Sequence, residues 1–327
     1  VSELGGLAGL AYIDITTGEF SATELPLQEL PLELERIEAA EVLVPDSADF
    51  PVWTDQRNGN GNSYELTPVE SRTFHLDEAR QALLCHFGIL TLESFGCEGM
   101  DLAVAAAGAI VEYLARTQKA AKLKLSNLAI YATGTFMALD SQTRRNLELF
   151  AGGRNDSKEL SLLSALDRTK TAMGGRLLRQ WLGQPLLDLT ALEQRLDVVD
   201  HFYLDGLKRT DSISLLNKVS DLERIIGRIV SGTVNPRELI ALKDGLAAVP
   251  SLRELVDSTD LEWLQSQLLP LPEVCSLIEE SIVSEPAGAV GDGNVIRPGF
   301  SPEMDELKNS STNARQFIAG LEQRERD

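Results

Sequence analysis

Reactive side chains are sparse in this chain. Three cysteines, three histidines and an aromatic share of 6% are spread over 327 residues. Cys85, Cys97 and Cys275 show no paired spacing, which argues against a disulfide framework. No Ser/His/Asp or Cys/His nucleophile arrangement is recognisable from spacing. No G-x-x-x-x-G-K-S/T string occurs, so the nest of amides and lysine that holds a nucleotide's phosphates is missing. No apolar run reaches the roughly 18 residues that suggest a membrane span. The opening VSELGGLAGL lacks the basic n-region of a secretory signal. These absences predict a soluble cytoplasmic protein with no membrane association.

Positive charge is scarce too. Thirty Lys and Arg face 50 Asp and Glu, a net charge of −20. The deficit is uneven: residues 1–100 hold 18 acids and 4 bases, a net −14, and residues 101–327 a net −6. Duplex binding needs Lys and Arg to displace counterions from phosphates, so the first hundred residues make a poor DNA surface. An apolar share of 43% with 24% charged residues is ordinary for a globular protein, and the length suits two domains.

The pattern changes near residue 128. GLAYIDITTGEFSATEL alternates around Gly18 as a β-hairpin does, and LPLELERIEAAEVLVP reads as a helix leading into a strand at Glu41–Val44. That ββαβ order predicts part of an α/β domain with a mixed sheet. RNGNGNS is a polar, glycine-rich loop. A helix over Asp77–Phe87 and a strongly apolar one capped by Asp101 follow. A strand near Leu128–Thr133 marks a boundary between domains 1–128 and 129–327. Beyond it the spacing predicts helices almost throughout. Thr190 and Glu193 suggest a capping box, with Leu192, Leu196, Val199 and Tyr203 facing inward. Leu215, Val219, Leu222, Ile226 and Ile229 suggest one long packing face ending at Gly232. Asn235–Pro236 starts a further helix through Leu239, Leu242 and Leu246. Ser301–Pro302–Glu303 starts a last one that runs into EQRERD without a stop signal, as a helix cut in mid-course would.

Candidate chemistry is thin. Asp14, Glu19, Glu24 and Glu35 could be taken for carboxylates of a two-metal nuclease, but only Asp14 has a plausible strand position. His75, Cys85, His86 and Cys97, spaced 10–1–11, match no common zinc pattern, and buried thiols with ordinary histidines explain them. GAVGDG lacks the β-α-β context of a phosphate loop. Arg144, Arg145, Arg154 and Lys158 form the densest basic stretch, and pairing with Glu148, Asp156 and Glu159 explains it better than phosphate contact.

The most informative stretch is TRRNLEL followed by SLLSALDRTKTAMGGRLLRQWLGQPLLD. Asp140 can cap the helix carrying Arg144 and Arg145; Leu162, Leu163 and Leu166 share a face. Thr171 can start a helix whose Met173, Leu177 and Trp181 form a core-facing stripe, with Gly174 and Gly175 permitting a close backbone approach. In this order the residues resemble the core (lever) domain of the MutS family of DNA mismatch repair proteins. GLAYIDITTGEF resembles a strand pair of that family's connector domain, and GNVIRPGFSPEMDELK the entry to its second lever helix.

The resemblance implies a partial RNase H-like connector domain over 1–128, followed by a multi-helix core/lever domain over 129–327 that ends near the clamp. Val1 in place of Met fits a middle piece of a longer parent. That parent would recognise mispaired double-stranded DNA, couple ATP binding to DNA clamping, form a homodimer or larger assembly, and recruit a MutL-like repair protein through the connector. ATP and magnesium would sit in a domain absent from this chain, leaving it no enzyme activity and no catalytic, cofactor-binding or metal residues. The alternatives are a stand-alone helical protein-interaction module and an RNase H-like metal-dependent nuclease.

Overall fold

The computed structural model describes residues 1–47, 64–97, 99–117, 125, 127–153, 157–288, 294–311 and 313–314. The Asn58–Ser63 loop, Arg154, Asp156, the EQRERD end and all of GAVGDG but its first glycine lie outside them.

Strands β1 (Ser2–Leu4), β2 (Leu7–Asp14) and β3 (Glu19–Pro26) form an antiparallel meander. The hairpin register runs from Leu7↔Pro26 to Asp14↔Glu19. It closes because Gly18, at φ +77°, can adopt the left-handed turn and donate its N–H to the Asp14 carbonyl at 2.8 Å. Strand β4 (Glu41–Pro45) pairs in parallel with β5 (Glu65–Val69), and β6 (Ala129–Ile130) joins β3 in parallel. Both sheet directions occur, so the expected mixed α/β character holds.

Alternation sorts the hairpin's side chains between two cores. Ala8, Leu10 and Leu25 pack on Leu30 and Leu34 of α1 (Leu30–Ile37) and on Val42 and Val44. Ala11, Phe20 and Ala22 face Leu83 of α2 (Leu76–Phe87) and the alanine-rich wall of α3 (Asp101–Thr117). Small residues on α3 let it lie directly on the sheet: a Cβ at Gly9 would stand 2.0 Å from the Leu102 carbonyl oxygen. Asp101 is not the residue seen closing the start of α3. Glu24, across on β3, accepts from the Leu102 and Ala103 amides at 2.7 and 3.1 Å.

The helical region holds α4 (Ser141–Asn146), α5 (Leu162–Leu166), α6 (Ala172–Gly183), α7 (Leu189–Leu204), α8 (Gly206–Leu216) and α9 (Leu222–Ser231). It continues through α10 (Pro236–Ala247), α11 (Val249–Leu255), α12 (Glu262–Gln267), α13 (Pro272–Ser281) and α14 (302–311). Asp140, Thr171 and Asn235 cap as their spacing suggests, and Asn235 forms a full capping box with Glu238.

Several expected faces differ. Asp188, not Thr190, caps α7, and Leu196, Val199 and Tyr203 are exposed at 64%, 63% and 76%. The supposed long helix through Leu215 and Ile229 is two helices, broken between Leu216 and Leu222. Ile225 is the buried residue of α9; Ile226 and Ile229 are exposed. Ile225 packs with Leu222, Leu242, Ile278 and Ile282 in the helical region's core. Leu177 and Trp181 on α6 are likewise exposed, as are Leu162 and Leu166 on α5 and Met304 and Leu307 on α14. No backbone approaches Gly174 or Gly175; the nearest atoms to a Cβ there are Thr171 Oγ1 and Thr169 Oγ1. On α6 and α7 the period groups apolar residues by face, but a shared face is not thereby a covered one; across the Leu216–Leu222 break the grouping itself fails.

Candidate functional site

A concavity of about 1030 Å³ lies where the first sheet meets α6 and α9. One wall comes from β2, α1 and β4; the other carries Met173, Leu177, Arg179 and Gln184 of the α6 segment.

Arg36 projects from α1 into this junction. Its guanidinium lies 5.8 and 5.5 Å from the ring centres of Tyr12 and Tyr131, and its Nε donates to Glu33 Oε1 at 2.9 Å. Glu33 also accepts the Tyr131 hydroxyl at 2.7 Å. The Gln184 amide, oriented with its oxygen toward Arg36, accepts from Nη1 and Nε at 2.6 and 3.0 Å. Burial opposes the charge on Arg36, yet the Glu33 contact outweighs it and raises the pKa. Burial, then the hydrogen bond to Glu19, pushes the Tyr12 phenol up to about 12, so it stays a neutral donor at 2.6 Å from Glu19.

Two other arginines join elements. Arg179 on α6 reaches both carboxylate oxygens of Glu38 at 3.0 and 2.8 Å, while its guanidinium covers Phe150 at 4.2 Å. Glu38 ends α1 at φ +52°, a left-handed position usually given to glycine. Arg176 forks onto Asp221 at 2.9 and 2.6 Å and onto Glu223 at 3.0 and 2.6 Å, tying α6 to α9. The hydrogen bond from Arg176 holds the Asp221 carboxyl below the usual range. At the far end, the hairpin turn rests on α9, where a Cβ on Gly227 would stand 3.3 Å from the Thr16 carbonyl oxygen.

The carboxylates considered for a nuclease do not converge on an ion. Asp14 accepts from the Thr16 amide and hydroxyl, Glu19 from Tyr12, and Glu24 from α3; Glu19 and Glu24 lie on β3, so Asp14 is not alone in holding a strand position. Glu35 lies on α1. Among the described residues, no group of three or more His, Cys, Asp or Glu side chains could hold a metal. Cys97 is buried, Cys85 is exposed rather than buried, and His86 Nε2 accepts from the Leu125 amide at 3.0 Å. In the basic stretch, Glu148 accepts from the Gly153 amide instead of pairing with Arg144 or Arg145. No described helix is long and apolar enough to cross a membrane.

Arg36, Arg179 and Gln184 escaped the sequence reading. Arg179 and Glu38 are 141 positions apart, and no local spacing links such residues.

The geometry defines a class: a mixed-sheet unit fastened by arginine bridges to a helical unit. The model for MutS domain II matches residues 1–129 and that for MutS domain III residues 142–327. The chain belongs to the MutS family. It is 41% identical over 324 residues to "DNA mismatch repair protein MutS" of Dehalococcoides mccartyi strain CBDB1, covering 98% of this chain and 37% of that protein. It is 41% identical over 327 residues to the protein of the same name from Symbiobacterium thermophilum, covering 98% and 37%. For the Methanosarcina acetivorans protein the identity is 38% over 333 residues, covering 98% and 36%. The chain thus spans little more than a third of the length of these relatives.

Proposed function

We propose that the chain is the connector and core/lever portion of a mismatch repair protein that recognises mispaired DNA and couples ATP binding to DNA clamping. The observation that carries this reading is the in-order match of both family domains, with relatives at 41% identity that bear the mismatch repair name. The proposed division is a connector over 1–128 and a core/lever region over 129–327. An RNase H-like connector is supported by the strand order β3-β2-β1, with the Val1 amino group donating to the Leu43 carbonyl on β4 at 3.0 Å. That contact sets the β4–β5 pair beside β1.

The chain's own share is mechanical. Arg179–Glu38, Arg36–Gln184 and the seating of the hairpin on Gly227 give a route by which movement of the helices reaches the connector. ATP and magnesium belong to another part of the parent, a reading supported by the missing phosphate-loop string. The chain itself carries no enzymatic activity, and no catalytic, cofactor-binding or metal residue is assigned to it. The parent works in the cytoplasm as a homodimer or larger assembly, and its connector offers an acidic surface to a MutL-like partner.

Fluorescence anisotropy on a G·T-mismatched and a fully paired duplex tests this. The isolated chain should bind both weakly and equally, with binding erased by moderate salt, while the parent polypeptide should prefer the mismatch. Mismatch-selective, salt-resistant binding by the chain alone would move recognition into these residues and overturn the mechanical reading.

A further inference from the structure

Four guanidinium groups line the cleft between sheet and helices: Arg36, Arg144, Arg176 and Arg179. Three are matched by carboxylates, Arg36 by Glu33, Arg179 by Glu38, and Arg176 by Asp221 and Glu223. The acids on the cleft wall are also engaged: Glu19 with Tyr12, Asp14 with Thr16, Glu41 with Thr67 and Tyr113. Arg144 differs. Its Nε donates to the Leu139 carbonyl at 3.0 Å, but among the described residues its terminal nitrogens meet no acceptor. Burial, then the neighbouring charge of Arg36, pushes its pKa down; Glu35, Glu33 and Glu38 attract it only from beyond ion-pair distance.

A partly buried cation beside another cation is unfavourable until an anion joins it. A guanidinium fork matches the planar oxygens of a carboxylate or the face of a phosphate. Ile37, Met173, Leu177 and Phe150 line the same cleft and offer apolar surface for the body of a ligand. The volume of about 1030 Å³ is at the upper end of the roughly 300–1,000 Å³ common for small-molecule sites. We propose that this cleft binds a small organic oxyanion, a carboxylate or phosphate ester, held by the free end of Arg144 with its apolar body against Met173 and Leu177. A ligand there would touch both the sheet unit and the helical unit and so fasten one to the other. The inference does not rest on the mismatch repair reading.

The test follows the arginine Nε–Hε signals of the ¹⁵N-labelled chain at constant ionic strength. Inorganic phosphate and phenyl phosphate form one arm, citrate and benzoate the other, against a chloride control. The expected result is a saturable shift of the Arg144 signal in at least one arm, which identifies the source of the oxyanion. The affinity should fall at least tenfold in Arg144→Gln and stay unchanged in Arg80→Gln, whose side chain stands by Asp101 outside the cleft. If Arg144→Gln does not fold, Leu177→Trp decides, because it fills the cleft while keeping every arginine and should abolish the response. No saturable shift in either arm, or undiminished binding in Arg144→Gln or Leu177→Trp, overturns the proposal.

Discussion

At the scale of single residues, the positions that tolerate least are those where backbone meets backbone. A Cβ at Gly108 would stand 2.4 Å from Ala79 Cα and 2.5 Å from the Ala79 carbonyl oxygen, so the crossing of α2 and α3 depends on a missing side chain. Gly108→Ala should force the helices apart and destabilise the fold by about 1–3 kcal/mol, the usual range for overpacking. Urea unfolding measures it, with Gly134→Ala, where a Cβ meets nothing within 4 Å, as the control. An unchanged midpoint for Gly108→Ala would mean that the crossing is looser than the distances indicate. The sequence hid this site. Gly108 sits inside LAVAAAGAIVEYLAR, where alanines on every side make it look interchangeable, whereas Gly174–Gly175 draws attention and is met by side chains and no backbone.

At the scale of elements, Asp221 joins two functions: it caps α9 and receives the Arg176 fork from α6. Its folded pKa is depressed below the ordinary 3.8, chiefly by the Arg176 hydrogen bond. The stabilisation is therefore complete above the unfolded value and is lost as pH falls through the folded pKa. Asparagine caps as well as aspartate does, so Asp221→Asn removes the charge while leaving the cap. The variant should melt lower at neutral pH and lose less stability than the wild type on acidification below about pH 4, where both chains become neutral at this position. Parallel stability–pH curves would exclude Asp221 as a source of acid sensitivity. The start of α9 also marks how far the pattern could be read. Leu222 belongs to the core as its spacing suggests, yet its partner there is Ile225 rather than Ile226. The chain breaks before Asp221, which resets the helical phase. Leu239, Leu242 and Leu246 on α10 were legible because that helix is short, fully capped and packed on one side. Leu196, Val199 and Tyr203 show the converse, an apolar face whose period was visible and whose exposure was not.

At the scale of the whole molecule, the hairpin, the apolar α3 and the capped helices could be read locally, because alternation and caps act over a few residues. The union of the two regions could not be, because it depends on side chains brought together only by folding. Arg179–Glu38 is the plainest case, since it crosses the junction directly and both partners are about half exposed. Such a pair contributes little by itself, on the order of 0.2–1 kcal/mol, and salt screens it. A double-mutant cycle with Glu38→Gln and Arg179→Gln should therefore give a coupling energy of about 0.5 kcal/mol at low salt that fades toward zero at high salt. The single Arg179→Gln change should cost more than Glu38→Gln, because it also uncovers the Phe150 ring. A coupling that persists undiminished at high salt would assign the union to packing instead. A coupling near zero at every salt concentration would shift the union to other joints, among them Arg36–Gln184, Tyr131–Glu33, the β3–β6 pairing and the Thr16–Gly227 contact. A junction built from weak, separately placed contacts can be rearranged at small free-energy cost, which is the property required of a unit that passes movement from helices to sheet.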